Sequence, residues 1–192
     1  MSTSSKRLFL VRHAKTAIDP NVPVDQWLLD PKGKADLERL AALPLLGSAD
    51  RIVASTEPKS LLTAGAIRAA QGLPAVESFA DLGEIHKSNF VLNHDEVMAQ
   101  LFAEPAVSVL PGWESGAAAL ARFSSRLDSL VDETQGDLIV VTHATVISLY
   151  LAQLLGQARV DPTNWAAIGF PDLAIINPRG RRVLQPFGAW RA

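Results

Sequence analysis

Arg12 and His13 stand side by side directly after the apolar run Leu8-Phe9-Leu10-Val11. His143 follows a second such run, Leu138 to Val141, one residue past Thr142. A third run, Ile52-Val53-Ala54, leads into Ser55 and, four positions on, Lys59. These residue types suit one kind of chemistry. A neutral imidazole is a competent nucleophile near neutral pH, and a guanidinium grips a planar oxyanion with two parallel N–H donors. Lysine adds a mobile positive charge, and serine a hydroxyl that donates or accepts. Gathered around one point, they make a phosphate-sized cationic pocket containing two imidazoles.

Whether they gather depends on the elements that carry them. Strand-like and helix-like segments alternate along the chain, the pattern of a layered α/β domain. Leu8–Val11, Arg51–Ala54 and Leu138–Val141 read as short buried strands. Asp30-Pro31 reads as an N-cap with proline in the first turn, opening a helix to about Leu43 with Leu37, Leu40 and Ala41 inward. A helix is predicted from about Pro58 to Ala70, with Leu61, Leu62, Ala64 and Ile67 apolar. Another, Glu114 to Val131, places Leu120, Phe123, Leu127, Leu130 and Val131 on one face, with Arg122, Arg126 and Asp128 off it. The run after His143 reads as a helix stopping at Gly156. Leu173–Ile176 and Arg182–Leu184, joined by Asn-Pro-Arg-Gly, suggest a closing hairpin at a sheet edge. The expected fold is a three-layer α/β/α sandwich around a mostly parallel sheet, with that hairpin at its C-terminal edge. In such sheets ligands bind beyond the carboxyl ends of the strands, where free N–H groups of helix N-termini favour anions. The three strand ends therefore direct Arg12, His13, Ser55, Lys59 and His143 toward one crevice.

Composition bounds the rest. The 192 residues suit one domain, 1–192, and the hydrophobic fraction of 48% with 20% charged residues is that of a globular protein. A chain of this length buries roughly 70% of its unfolded surface. The stretch 81–113 is the least periodic and reads as an insertion over the site that sets specificity. With no cysteine, thiol catalysis and thiolate metal sites are excluded. No apolar run is long enough to span a membrane or to act as a secretory leader, which fits a cytoplasmic location. The net charge of −2 argues against a general nucleic-acid binder.

Five segments, in order from Leu8 to Leu151, resemble the histidine phosphatase (phosphoglycerate mutase-like) superfamily. "LVRHAKT" resembles its R-H-G motif with alanine for glycine, and "STEPKSLLTAGAI" its middle phosphate-binding segment. "DLGEIHKSNF" is similar to its acidic segment, "PGWESGAAALARF" to its G-E-S segment, and "VVTHATVISLYLA" to its second-histidine segment. The resemblance implies His13 as the nucleophile that becomes phosphohistidine, Arg12 as a phosphate clamp and His143 as a transition-state donor. It implies Glu84 as the proton donor to the leaving oxygen, with Glu57 and Glu114 as competitors for that role. Lys59 falls where a second arginine is usual and keeps its charge without the fork. Ser55 is expected to bind phosphate too. His86 could line the mouth, and Phe90, Trp27 and Trp113 could contact the organic part of a substrate.

The reading is a metal- and cofactor-independent phosphatase acting on a small phosphomonoester, with neither nucleic acid nor membrane as partner. Two alternatives within the fold are a phosphoglycerate-type mutase and a weakly catalytic phosphate-binding scaffold, the latter motivated by Ala14, Lys59 and Ala144. A metallohydrolase built on His13, His86, His94 and His143 lacks thiols and any H-x-x-x-H spacing.

Overall fold

The computed structural model describes residues 6–88 and 91–191. The strands β1 (Leu8–Arg12), β2 (Ala49–Ser55), β3 (Glu77–Phe79), β4 (Asp137–Thr142), β5 (Asp172–Asn177) and β6 (Arg182–Gln185) form one sheet in the order β3-β2-β4-β1-β5-β6. The first four in that order run parallel, β5 is antiparallel to β1, and β6 is antiparallel to β5. The fold is α/β with a mixed sheet, and the predicted hairpin forms its edge.

The middles of the central strands, Leu8–Val11, Ile52–Ala54 and Leu138–Val141, are apolar at every position because helices cover both faces. Alternate residues then feed two cores. Leu8 and Leu10, with Val53, Leu138 and Val140, pack under the helices α3 (His94–Ala103), α4 (Gly116–Glu133), α5 (Ala144–Leu154) and α6 (Pro162–Ala167). Phe9, Val11, Ile52, Ala54, Ile139 and Val141 pack on the other face against α1 (Lys34–Ala41) and α2 (Pro58–Gln71). No helix among the described residues is long and apolar enough to cross a membrane.

Several local expectations need correction. Asp30 does cap, accepting from Lys32 N, but it opens a 3-10 turn at Pro31–Gly33, and α1 begins only at Lys34. In α2, Leu61 and Leu62 are 37% and 48% exposed, while Lys59, Ser60, Thr63, Ala64 and Ile67 are buried. The start of that helix thus turns a polar face inward. Glu114 lies before α4, which Ser115 caps by accepting from Ala118 N. Within 81–113 lies the helix α3, whose Val97, Met98, Leu101 and Phe102 are buried; β3 and α6 had no clear signature either.

One buried carboxylate ties the sheet edge to the site. Asp172, paired in register with Arg12, is 1% exposed. Its Oδ1 accepts from Leu173 N, Gly188 N and the indole of Trp190, and its Oδ2 accepts from Gly169 N. These bonds fold residues 169–190 back on the strand that carries Arg12. A buried donor left without an acceptor costs about 1–3 kcal/mol. Asp172→Ala should therefore destabilise the protein by about 3 kcal/mol or more in urea unfolding, whereas exposed Asp132→Ala should change it by less than about 0.5 kcal/mol.

Candidate active site

The ends of β1, β2 and β4 open onto one cleft of about 320 Å³. Arg12, His13, Lys59, Glu84, Lys87, His143 and Thr145 line it, together with Trp27, Trp113, Trp165 and Phe170. The two imidazoles meet at a centroid distance of 5.0 Å, and both are buried.

Each ring has a defined orientation. His13 Nδ1 lies 2.8 Å from the carbonyl of Ala14. A carbonyl only accepts, so Nδ1 carries the proton and Nε2 holds the lone pair. Burial holds His13 well below the usual imidazole value, and His143, Lys59 and Arg12 push the same way against the Ala14 hydrogen bond. His13 is therefore neutral at neutral pH. His143 presents Nε2 to Ser55 Oγ at 2.7 Å and to Glu57 Oε1 at 3.0 Å, while its buried Nδ1 has no partner. Burial raises the Glu57 carboxyl, but His143 and Lys59 outweigh it and hold the group well below its normal range. The anion fixes the His143 N–H at Nε2. Nδ1 is then an acceptor in the neutral ring and a donor only when both nitrogens carry protons.

The cations are held from behind. Arg12 donates Nη1–H to the Ile168 carbonyl, its guanidinium carbon lies 3.4 Å from the Phe170 ring centroid, and its Nε is buried without a partner. Burial lowers Arg12 to about 10, still protonated at neutral pH. Lys59 is 4% exposed and donates to Glu57 Oε2 at 2.5 Å and to the Val24 carbonyl at 2.8 Å.

Glu84 accepts from Ile85 N at 2.9 Å and from Thr145 N at 3.2 Å. Burial pushes its carboxyl up, but Lys87, His143 and the Ile85 N–H together bring it below the ordinary value. The empty site thus holds Glu84 as a carboxylate.

Of the six residues expected at the site, five line the cleft. Ser55 does not: it is fully buried behind His143 and bonds the imidazole rather than facing the cavity. Glu114 is paired with Arg122 at 2.8 Å. His94 lines the cleft, whereas His86 is exposed beside an adjoining one. Trp27 and Trp113 do line it, and Phe90 lies outside the described residues. The alanines at 14 and 144 take no strain, since Arg181 is the one described non-glycine residue with positive φ. Among the described residues no three His, Cys, Asp or Glu side chains gather as a metal site would need.

Sequence reasoning missed Glu57 as a bridge, Phe170, Thr145 and Arg122. Arg122 was expected only to lie off the apolar face of its helix. It instead directs its guanidinium to the carbonyls of Asp81 and Gly83, both at 2.9 Å, and of Glu84 at 2.7 Å, and grips Glu114 at 2.8 Å through Nε and Nη2. It thereby fixes the backbone that carries Glu84. Of the five buried polar side-chain atoms without partners among the described residues, four belong to cleft residues: Arg12, His143, Thr145 and Trp165. Unmet polar atoms concentrated in one cavity are the mark of space kept for a polar ligand.

The combination of fold and cleft defines an α/β protein in which two histidines meet among cationic side chains at the strand ends. The profile of the histidine phosphatase superfamily (branch 1) matches residues 8–179, and the chain belongs to that superfamily. Solved structures share the fold. A mycobacterial glucosyl-3-phosphoglycerate phosphatase is 22% identical, with 97% of this chain and 99% of that one covered at a TM-score of 0.67. A phosphoserine phosphatase mutant from Entamoeba histolytica is 19% identical, with 96% and 98% covered at 0.71. Bacillus stearothermophilus YhfR is 20% identical, with 88% and 90% covered at 0.70. No curated protein matches the chain in sequence.

Removing the guanidinium should loosen the acidic loop without melting the sheet. In Arg122→Met, amide exchange at Glu84, Ile85 and His86 should speed up by about tenfold or more, while that of Val140 and Val141 stays within a few-fold. Unchanged protection of the loop would show that other contacts hold it.

Proposed function

We propose that the chain is a metal-independent phosphatase that hydrolyses a small phosphomonoester through a phosphohistidine at His13. The observation that carries this reading is the bare Nε2 of a buried, neutral His13 facing a cationic cleft in which His143 Nδ1 and Arg12 Nε lack partners. In the first step His13 Nε2 attacks phosphorus. The P–N bond forms as the P–O bond to the leaving group breaks, and Glu84 delivers a proton to the departing oxygen. In the second step water attacks phosphorus, its proton passes to Glu84, and the P–N bond breaks. Arg12, Lys59 and His143 stabilise the charge spread over the equatorial oxygens, which is most of what phosphoryl transfer needs. Ser55 and Glu57 position His143. The cleft is open to solvent, which favours transfer to water over return to a second substrate position.

Removing the nucleophile gives the direct test. His13→Ala should lose at least about three decades in phosphate release from a panel of phosphoesters, and Lys59→Ala about one to three decades. An alkaline quench should trap phosphohistidine in the wild type alone, and equal rates in wild type and His13→Ala would reject the mechanism.

The pH dependence follows from the same charges. Neutral His13 persists as pH falls through its usual value and is lost only well below it. Glu84 in the empty site is ionised above a lowered value, so the transferred proton arrives on the substrate monoanion. A phosphomonoester loses that proton near pH ~6. Accordingly kcat/KM should hold on the acid side of pH ~6 and fall about tenfold per unit above it. A profile rising from pH 6 to 8 would contradict this assignment of protons.

A further inference from the structure

The cleft has a second cationic pole that the phosphoryl chemistry leaves unused. Lys87 lines it, half-buried, with Nζ donating to His94 Nε2 at 2.9 Å and lying 5.3 Å from the Trp113 ring centroid. Among the described residues no carboxylate lies within 4 Å of this ammonium. Lys59, by contrast, has Glu57 at 2.5 Å. Burying a charge is costly unless it is paired, and an imidazole lone pair is a weak counterpart for a cation. His94 adds no charge of its own, since burial and Lys87 bring it to about 4. This end of the cleft therefore presents an ammonium with no carboxylate in direct contact. That matches a monoanion better than a phosphate dianion.

We infer that Lys87, oriented by His94, is a subsite for a carboxylate on the leaving group, so that the preferred substrates are short carboxylated phosphomonoesters. The inference rests on the proposed phosphatase reading and deepens it. Lys87 lines the same cleft of about 320 Å³ as Arg12, His13 and Lys59, so a substrate that reaches both ends is small. Val91, Trp113, Trp165 and Phe170 give the span between those ends apolar walls. The arrangement also couples binding to chemistry. In the empty site, Glu84 is the carboxylate that favours the charged form of Lys87. Once Glu84 takes a proton to act as an acid, Lys87 loses this compensation, and a substrate carboxylate replaces it. The same carboxylate, being of like charge, disfavours ionised Glu84 and so promotes its acid form.

The test compares two substrates that differ at one carbon, 3-phosphoglycerate and glycerol 3-phosphate, with 4-nitrophenyl phosphate as reference. Wild type should prefer the carboxylated member by about tenfold or more in kcat/KM, the worth of one charge-assisted hydrogen bond. Lys87→Met should bring the ratio to near one, and Lys87→Arg should retain most of it. Because the ratio is read within each variant, a general loss of rate does not affect it. No preference in wild type, or a preference that survives Lys87→Met, overturns the subsite. If 4-nitrophenyl phosphate and both esters release no phosphate, the phosphatase reading fails instead. Calorimetric binding of the two esters to wild type and Lys87→Met then decides the subsite alone, with selective weakening of 3-phosphoglycerate the supporting result and equal weakening of both the opposing one.

Discussion

The carboxylate of Glu57 holds three parts of the cleft at once. Oε1 lies 3.0 Å from His143 Nε2 and accepts from Glu84 N at 2.8 Å, while Oε2 takes the Lys59 ammonium at 2.5 Å. The residue sits at the N-cap of α2 with Pro58 following, so its backbone is set by the helix start. Like charges and two imidazoles crowded into a low-dielectric space repel one another, and a single anion in their midst offsets much of that. It does so without entering the place an oxyanion would occupy, because it binds the far nitrogen of His143. Burial, reinforced by the repulsion that remains, then keeps His13 neutral, the form that a nucleophile needs.

The opposite wall is built on a different principle. Arg12 is backed by a carbonyl and an aromatic face rather than by a carboxylate, and Phe170 also lies 5.4 Å from the His13 ring. A guanidinium stacked on a ring keeps its charge available while its plane is fixed. Asp172 secures the segment carrying Phe170 from beneath the sheet edge. The antiparallel strand at that edge thus has a mechanical consequence: it returns the chain across β1 so that residues 168–170 lie over Arg12.

The strands and their polar ends were legible because a parallel sheet covered on both faces demands unbroken apolar runs, and those runs stop where the cleft begins. The helix α2 was found within a residue of its bounds, but its apolar residues do not all mark the inner face. Its first turn faces the site, so Lys59 points inward, Ser60 lies 3.3 Å from His143 Nε2, and Thr63 accepts from Ala14 N at 3.0 Å. A pattern rule seeks apolar residues on the inner face, where Ala64 and Ile67 lie, while Leu61 and Leu62 face outward. Helix α3 stayed hidden because ten residues with neighbouring charges give little periodic signal. Glu57, Arg122 and Phe170 act as single side chains reaching across loops, and no spacing announces such contacts. Ser55 was placed at the right strand end, but the strand's last side chain faces the imidazole rather than the cavity.

Lysine at position 59, where a second arginine is usual in the resemblance, makes sense beside Glu57. An ammonium has three donors. Two of them serve Glu57 and the Val24 carbonyl, which leaves one N–H for a phosphoryl oxygen. The unpartnered Arg12 Nε and Thr145 Oγ1, with His143 Nδ1 when both of its ring nitrogens carry protons, raise the available donors to four, drawn from β1 and the N-termini of α2 and α5. A planar phosphoryl group between nucleophile and leaving oxygen exposes three equatorial oxygens, so four donors suffice without a second guanidinium fork. The cost of the substitution is directional, since a single ammonium N–H sets distance but not orientation. Orientation must then come from Arg12 and the two imidazoles, whose positions the sheet, Asp172 and Glu57 fix.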